Sequence, residues 1–361
     1  MKLIMLGATP GAPGSIAATV QAWRDQGLFE RWPSQHLAVQ GEGTSLRKAL
    51  HELARLLAHE RRAVLHVHAT GDDFWRAGAF IAAAAAARAP FILQIHGSDF
   101  ASAHERAGSA LRMAMGLAFE RAARVLVPSE RMARWVTSAC RDARVAVVPP
   151  PIPQGAAGTP LHERPRLVLF LGRLDARRGT FELAEAVAAL RGAVPGIRLV
   201  YAGAGERAAL EQHAQSLGIA DAVKFTGWVG PSGKRALLES AAVLAAPSYA
   251  DGLPMGVIEA MAAGVPVVAS AVGGVVEAVS DGVSALLAAP GDAATLSRQL
   301  RRLLLEPQTA ARIGAAARET ARLRYSPERS LARLEEVYGE VGLTTLVVPS
   351  VQREPDLRQA A

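Results

Sequence analysis

The chain has 361 residues, half of them apolar and 5% aromatic, which is enough material for two hydrophobic cores. Its formal net charge of +7 is unevenly distributed, with 18 basic and 12 acidic residues in 1–158 against 22 and 21 in 159–361. The basic first part favours anionic partners, although its arginines could equally form a solvated surface. The excess is too modest for a nucleic-acid-binding protein, and the single cysteine excludes a disulfide within the chain and fits a reducing compartment.

The N-terminal stretch MKLIMLGATPG has a short apolar run and no cleavage pattern, so it predicts a buried first strand and not a secretory signal. No apolar stretch reaches the roughly 18–20 residues of a membrane span. We therefore expect a cytoplasmic protein that at most contacts the inner face of the plasma membrane.

Apolar strand-like runs alternate with helical patterns through the first part of the chain. Helices are predicted over 45–60, 74–88 and 104–123. Continuous apolar strands that alternate with helices are typical of a parallel sheet covered on both faces. The predicted strands of this part are 3–7, 36–40, 64–69, 91–97, 124–129 and 145–149.

The same alternation resumes after PPPIPQGAAGTPLHERP (149–165), whose Pro and Gly content indicates a linker between two doubly wound domains. The predicted strands of the second part are 166–173, 197–205, 223–228, 242–248, 265–270 and 284–290. We expect an α/β fold organised as one domain over 1–155, a second over 156–326, a helical stretch over 327–346 and a polar tail over 347–361.

Ligands of open α/β sheets bind at the carboxyl ends of the strands, so the residues after each strand are the candidates for a site. A glycine-rich loop follows the first strand, but Gly7, Gly11 and Gly14 lack the G-x-G-x-x-G spacing of a dinucleotide site. The fourth strand ends at His96, which can face the cleft or simply bond to a neighbouring loop. Polar residues follow the third and fourth strands, namely Asp73, Ser98 and Asp99.

In the second part, the stretch GRLDARRG (172–179) places Arg173 and Arg178 around a loop that opens a helix. Two guanidinium groups at a helix N-terminus can bind a diphosphate, although a solvated Arg-rich turn has the same appearance. Gly203 begins the turn GAGE after the next strand, where a glycine allows close approach of the backbone to a ligand.

The stretch SYADGLPMGVIEAMAAGVPVVAS (248–270) places two acidic residues at the start of an apolar helix. Asp251 lies just before the helix and Glu259 one to two turns inside it, and each carboxylate can accept two hydrogen bonds from a sugar diol. Pro254 suits the first turn, and the N–H groups near Leu253 and Met255 can point toward a phosphate. A capping role for Asp251 and a half-buried structural role for Glu259 remain open alternatives, although burial of an unpaired charge is costly.

Three landmarks, FLGRLDARRG (170–179), VKFTGWV (223–229) and SYADGLPMGVIEAMAAGVPVVAS (248–270), resemble in order and spacing the retaining, nucleotide-sugar-dependent glycosyltransferases of family 4, glycosyltransferase group 1. The resemblance covers nearly the whole second domain and implies the GT-B fold, in which two Rossmann-like domains face a cleft. Two residues depart from the usual pattern of the family. Asp251 stands where the family usually has Glu, and Arg178 stands where it usually has Lys.

The resemblance also implies a role for each candidate residue. Glu259 would bind the donor ribose, Asp251 the hydroxyls of the transferred sugar, and Arg173 and Arg178 the diphosphate, with His96 beside the reacting sugar. The other implied donor contacts are Gly14, Gly203, Gly252, Leu253, Pro254 and Met255. The implied acceptor side comprises Gly11, Asp73, Ser98 and Asp99.

We expect a sugar transfer from a nucleoside-diphosphate sugar to the hydroxyl of a glycan or lipid-linked acceptor, with retention and without a metal or other cofactor. The first-domain segments resemble the branch of the family that builds bacterial polysaccharides or glycolipids. A sugar-nucleotide epimerase, a phosphorylase and a non-catalytic nucleotide-sugar-binding partner in a polysaccharide-assembly complex remain alternatives.

A helix predicted over 105–126 would carry Arg106, Arg112, Arg121 and Arg124. Such a helix could contact an anionic membrane, as a lipid-linked acceptor requires, or form an ordinary surface helix with one apolar face. The resemblance further implies that the helical stretch 327–340 crosses back onto the first domain and that 149–165 acts as a hinge.

Overall fold

The structure, a computed structural model, describes residues 1–344 apart from positions 10, 11, 13, 41–44, 61, 72, 98–99 and 156–159. The predicted tail over 347–361 therefore lies outside the described residues. Within the described part, two six-stranded sheets are formed, and all their strand pairs are parallel. This arrangement confirms the predicted α/β architecture of two doubly wound sheets.

The first sheet has the strand order β2-β1-β3-β4-β5-β6 and the second β12-β11-β10-β7-β8-β9. The strand order reverses between β1 and β3 in the first sheet and between β7 and β10 in the second, and these are the points at which such sheets form a crevice. The strands are β1 (Lys2–Ala8), β2 (Ser34–Gln40), β3 (Ala63–Ala69), β4 (Phe91–Ile95), β5 (Arg124–Val127), β6 (Val145–Val147), β7 (Leu167–Leu171), β8 (Arg198–Ala202), β9 (Val223–Gly227), β10 (Val243–Ala246), β11 (Val267–Ser270) and β12 (Leu286–Ala288).

Helices cover both faces of each sheet, and four large apolar clusters fill the layers between helices and sheets. The helices are α1 (Ser15–Asp25), α2 (Leu28–Arg31), α3 (Leu46–His59), α4 (Phe74–Ala86), α5 (Phe100–Arg106), α6 (Ser109–Arg121), α7 (Glu130–Ala139), α8 (Thr180–Leu190), α9 (Arg207–Ser216), α10 (Pro231–Ser240), α11 (Met255–Ala262), α12 (Val275–Ala278), α13 (Ala293–Leu305), α14 (Pro307–Tyr325) and α15 (Pro327–Glu340).

The single helix predicted over 105–126 is wrong. The chain breaks between α5 and α6, where Gly108 has an extended backbone and serves as the N-cap of α6. Arg124 belongs to β5, and its Nε donates to Glu340 of α15 at 2.8 Å. The four arginines of the predicted membrane-facing helix therefore lie on three different elements.

Helix α15 packs on the first sheet although it follows the second sheet in the chain. The indole of Trp23 donates to Ser330 Oγ at 3.0 Å, and the ring of Tyr338 packs edge-on against Trp32 at 5.1 Å. The chain thus passes twice between the sheets, and the two passages touch, because the N–H of Ile152 donates to the carbonyl of Tyr325 at 2.7 Å.

Candidate active site

Two adjoining cavities lie between the carboxyl ends of the two sheets. The inner one has a volume of about 280 Å³ and the outer one about 1220 Å³. Both are bounded by Gly97, Arg178 and Asp251. The inner cavity is further lined from the first sheet by Ser15, Thr19, Gln94, Ile95, His96, Pro128, Val148 and Pro150, and from the second by Leu171, Gly172, Leu253, Met255 and Gly256.

Asp251 and Arg178, predicted separately, form one ion pair at the boundary of the two cavities. Arg178 Nη1 donates to Asp251 Oδ2 at 2.6 Å, and the Asp251 side chain is only 9% exposed. Burial raises the pKa of Asp251 above its ordinary value, and the charge and hydrogen bond of Arg178 oppose that rise. The backbone of Asp251 is held as well, because its carbonyl accepts a hydrogen bond from the N–H of Gly274 at 2.8 Å.

Glu259 is also paired with a basic side chain. Lys234 Nζ in α10 donates to Glu259 Oε1 at 2.5 Å, with the two side chains 35% and 19% exposed. This pairing also fits the alternative of a half-buried structural carboxylate, so the ribose contact of Glu259 stays a prediction. The carboxylate keeps acceptor capacity for a ligand diol, because one lysine N–H does not saturate two oxygens.

Arg173 and Arg178 lie on either side of a short turn after β7. The carboxylate of Asp175 accepts a hydrogen bond from the N–H of Arg178 at 3.0 Å and lies 3.6 Å from Arg173 Nε. Arg173 is 79% exposed and reaches into the outer cavity, whereas Arg178 borders both cavities. The turn therefore presents two guanidinium groups to the cleft.

The loops after β7, β8, β10 and β11 pack backbone against backbone. A Cβ at Gly203 would lie 1.7 Å from the carbonyl oxygen of Gly172, and one at Gly273 would lie 1.9 Å from that of Asp251. Side chains at these positions would push the loops apart. Gly203 thus has a packing reason to be glycine, and its predicted donor contact stays a prediction.

The start of helix α11 differs slightly from the prediction. The helix begins at Met255, and Pro254 occupies the N-cap position outside the first turn. The N–H of Met255 donates to the carbonyl of Leu253 at 2.9 Å, so this N–H already has a partner and the expectation that it points to a phosphate is corrected. Leu253 and Met255 line the inner cavity, and Gly252 lines the outer one.

His96 directly follows β4 and contacts a histidine of the neighbouring strand. Its Nε2 lies 2.8 Å from Nδ1 of His68, while His66 stacks on His68 with ring centroids 4.5 Å apart and bonds to the hydroxyl of Tyr338 at 2.7 Å. Burial lowers the pKa of His66 and of His96 to about 3, and burial together with the neighbouring histidines lowers the pKa of His68 well below its ordinary value. All three imidazoles are neutral near pH 7, and His96 presents its ring to the inner cavity.

The residues predicted after strand ends in the first domain are placed only in part, and the one described acceptor residue, Asp73, does not line the cleft. Gly14, a predicted donor contact, has a φ of 117° and is the N-cap of α1, directly before the cavity-lining Ser15. Asp73 is exposed at the start of α4 and lines neither cavity. Gly11, Ser98 and Asp99 lie outside the described residues.

Sequence reasoning missed the partners of the predicted residues. Lys234 is one of four lysines in an arginine-rich chain, and that rarity was an available signal. His66 and His68 are two positions apart on a strand and so share one face, which was a second signal. Glu277 of α12 accepts a hydrogen bond from Arg134 Nη2 of α7 at 2.6 Å, and no feature of the local sequence marks that contact between the two sheets' helices.

The fold and the cleft define a two-domain α/β protein of the GT-B architecture. Residues 156–320 match the family model described as Glycosyl transferases group 1, and residues 8–151 match the Glycosyl transferase 4-like domain. The chain belongs to the group 1, family 4 glycosyltransferases.

Similar proteins agree with this assignment. The D-inositol 3-phosphate glycosyltransferase of Salinispora arenicola (strain CNS-205) is 35% identical over 190 residues, which are 50% of this chain and 42% of that protein. The protein of the same name from Corynebacterium diphtheriae is 33% identical over 193 residues, covering 52% and 44% of the two chains. The matched part thus spans less than half the length of these relatives.

Among solved structures, Anabaena HepE in complex with UDP superposes with a TM-score of 0.74 at 20% identity, covering 94% of this chain and 100% of that one. The same protein in complex with UDP-glucose gives a TM-score of 0.72 at 21% identity. At this level of identity the likeness establishes the fold.

No helix in the described part of the chain is both long and apolar enough to cross a bilayer. Across those same residues, no group of three or more His, Cys, Asp or Glu side chains is arranged so that it could hold a metal ion.

Proposed function

We propose that this protein transfers a sugar from a nucleoside-diphosphate sugar to a hydroxyl acceptor, with retention of the anomeric configuration. The observation that carries the proposal is the pairing of Asp251 with Arg178 at the boundary of the two cavities, opposite His96. A sugar that bonds to Asp251 has its phosphate within reach of a guanidinium group, which is the geometry that a glycosyl phosphate requires.

The donor would be bound along α11. Glu259, oriented by Lys234, would accept hydrogen bonds from the ribose diol. Arg173 and Arg178 would bind the diphosphate, and Gly252, Leu253, Pro254 and Met255 would surround the sugar beside His96. Support comes from the family assignment and from the named complexes of HepE with UDP and UDP-glucose.

In the reaction, the bond between the anomeric carbon and the phosphate oxygen breaks while the acceptor oxygen bonds to the same face of that carbon. The acceptor proton passes to the leaving phosphate. Arg173 and Arg178 would stabilise the negative charge that develops there, a task that fixed cationic donors perform without a metal ion. The neutral ring of His96 would contact the sugar as a hydrogen-bonding group and not as a charge.

We propose cell-surface polysaccharide or glycolipid synthesis as the setting, with a glycan or lipid-linked acceptor in the cytoplasm or at the inner membrane face. Peripheral membrane contact would use α6, because this helix exposes Met113 and Leu117 (66% and 43%) together with Arg112 and Arg121.

The proposal is tested by measuring nucleotide release from UDP-glucose, UDP-N-acetylglucosamine, GDP-mannose and ADP-glucose in the presence and absence of glucose, myo-inositol and their phosphates. We expect release that depends on an acceptor, an NMR coupling constant showing the donor's anomeric configuration in the product, and a loss of about 100-fold in kcat for Asp251→Asn. Conversion of the donor into an epimeric nucleotide sugar without net nucleotide release would instead support an epimerase, release without any acceptor would show hydrolysis by water, and binding of nucleotide without turnover would support a non-catalytic protein.

A further inference from the structure

The outer cavity is strongly basic. Its lining includes six arginines and three acidic residues. The arginines are Arg106, Arg131, Arg134, Arg173, Arg177 and Arg178, and the acids are Glu105, Asp175 and Asp251. Among the described residues, the lining therefore has three more arginines than acidic residues, and Asp251 is part of it.

Part of this charge is already compensated. Asp251 binds Arg178, Asp175 lies against Arg173, and Arg134 binds Glu277. Among the described residues, the guanidinium groups of Arg131 and Arg177 contact no carboxylate. These two arginines lie on opposite walls of the cavity, Arg131 in α7 and Arg177 in the turn after β7.

The first-domain wall already binds one anion. The carboxylate of Glu277 accepts hydrogen bonds from Arg134 Nη2 at 2.6 Å and from the backbone N–H of Arg131 at 3.3 Å. That N–H lies in the first turn of α7, where the helix dipole favours negative charge. Ser129, which caps α7, lines the cavity next to Arg131.

The donor does not account for this wall. The proposed diphosphate contacts, Arg173 and Arg178, belong to the second domain, whereas Arg131 lines the cavity from α7 of the first domain. We propose that the acceptor carries a phosphate group and that Arg131 and Arg177 bind it in the outer cavity. This inference rests on the proposed function, since it names the acceptor class of the same cleft.

Guanidinium groups bind phosphate with paired hydrogen bonds, and the oxygens of a tetrahedral phosphate point in several directions, so they can accept from arginines on two walls more readily than those of a planar carboxylate. The phosphate could belong to a soluble sugar phosphate or to a lipid headgroup. In both cases Arg131 would contact phosphate oxygens, so soluble phosphate esters and lipid vesicles are tested separately.

The test is a calorimetric titration of the UDP-saturated protein with glucose 6-phosphate, myo-inositol 1-phosphate, glucose and glucuronate. We expect at least one phosphate ester to bind about tenfold or more tightly than the neutral sugar or the uronate, and Arg131→Gln to abolish that difference. Arg131→Lys should restore part of it, and Arg141→Gln, an exposed arginine outside the cavity, should leave it unchanged. Raising the salt concentration should weaken the phosphate ester more than glucose.

A second arm uses vesicles of phosphatidylcholine with and without phosphatidylinositol. Retention that requires phosphatidylinositol and is lost in Arg131→Gln, without binding of the soluble esters, would assign the phosphate to a lipid. Equal binding of phosphorylated and neutral compounds in both arms, or binding that Arg131→Gln leaves intact, would overturn the inference. If UDP itself fails to bind, the proposed function fails, and the same titrations without UDP still decide whether the cavity prefers phosphate.

Discussion

At the scale of residues, each acidic residue proposed for the donor site is held by a basic one. Arg178 holds Asp251 and Lys234 holds Glu259. These pairs orient partly buried carboxylates before any ligand arrives. A donor would then exchange partners with them, because its phosphates attract Arg178 while its hydroxyl groups donate to the carboxylates.

The pairing predicts that Lys234 contributes to nucleotide binding through Glu259. We expect Lys234→Gln to weaken nucleotide binding about fivefold, which corresponds to roughly 1 kcal/mol, because an oriented carboxylate loses its partner. The double variant with Lys234→Gln and Glu259→Ala should bind the nucleotide no more weakly than the Glu259→Ala variant alone. Lys224→Gln removes an exposed lysine of β9 and is the matched control; additive losses in the double variant would contradict the coupling.

The buried histidines predict a loss of stability in mild acid. His66 is fully buried, and its pKa is about 3 in the folded chain against about 6.5 when unfolded. Since the unfolded state binds the proton first as the pH falls below about 6.5, this residue alone should lower the free energy of unfolding by about 2 kcal/mol between pH 7 and pH 5.

Urea unfolding at the two pH values measures this loss. His66→Gln should reduce the loss between pH 7 and pH 5 by about 2 kcal/mol, because glutamine can still bond to Tyr338 but does not titrate, while His68 and His96 still do. His51→Gln, an exposed histidine of α3, should not. Equal stability of the wild type at both pH values would show that the imidazoles are not buried neutral groups.

Site residues could be predicted from the sequence where they belong to a local motif. Their contact partners could not be predicted where these come from a distant part of the chain. Asp251, Glu259 and Arg178 follow from the stretches after strands. Their partner Lys234, and the contact of His68 with His96, depend on strands and helices that the fold brings together, so spacing along the chain does not reveal them.

At the scale of elements, the site depends on four loops in backbone contact. Gly203 packs on Gly172, and Gly273 packs on Asp251. These contacts fix the position of each loop at the edge of the cleft. They therefore also fix the positions of Arg173, Arg178 and Asp251.

We therefore expect Gly203→Ala to lower the free energy of unfolding by more than about 2 kcal/mol and to weaken nucleotide binding, because the new Cβ meets a backbone carbonyl that cannot rotate away. Gly192→Ala is the control, since its Cβ would meet no atom within 4 Å. Thermal unfolding with and without UDP measures both effects. An undisturbed Gly203→Ala variant would contradict the close packing of these loops.

The strands could be predicted well because twelve apolar runs of parallel sheets stand out between helices. The break between α5 and α6 was missed, because no proline interrupts the stretch and Gly108 alone is a weak sign of a helix end. The boundary of α11 differed by one residue, since a proline suits both the N-cap and the first turn.

At the scale of the whole molecule, the two sheets are joined by two chain passages that contact each other. Ile152 bonds to Tyr325, and Ser330 Oγ donates to the carbonyl of Pro149 at 2.6 Å. The hinge over 149–165 stays a prediction. Because these contacts join the two passages, we expect the junction of α14 and α15 to be part of the same hinge. Beside this junction, where Arg324 Nη1 donates to the carbonyl of Glu277 at 2.7 Å, Arg134 and Glu277 connect the domains through a partly exposed ion pair, which is weak enough to open.

The central claim is that the cleft binds a nucleoside diphosphate through Glu259 and Arg178. Isothermal titration of UDP, GDP and ADP into the wild type, Glu259→Ala and Arg178→Gln tests it most directly, with Glu319→Ala, an exposed ion-paired glutamate, as the control. We predict that one nucleotide binds the wild type and the control equally, and that each cleft variant binds it about tenfold or more weakly. Binding of none of the three nucleotides, or equal binding by all four proteins, would contradict the claim.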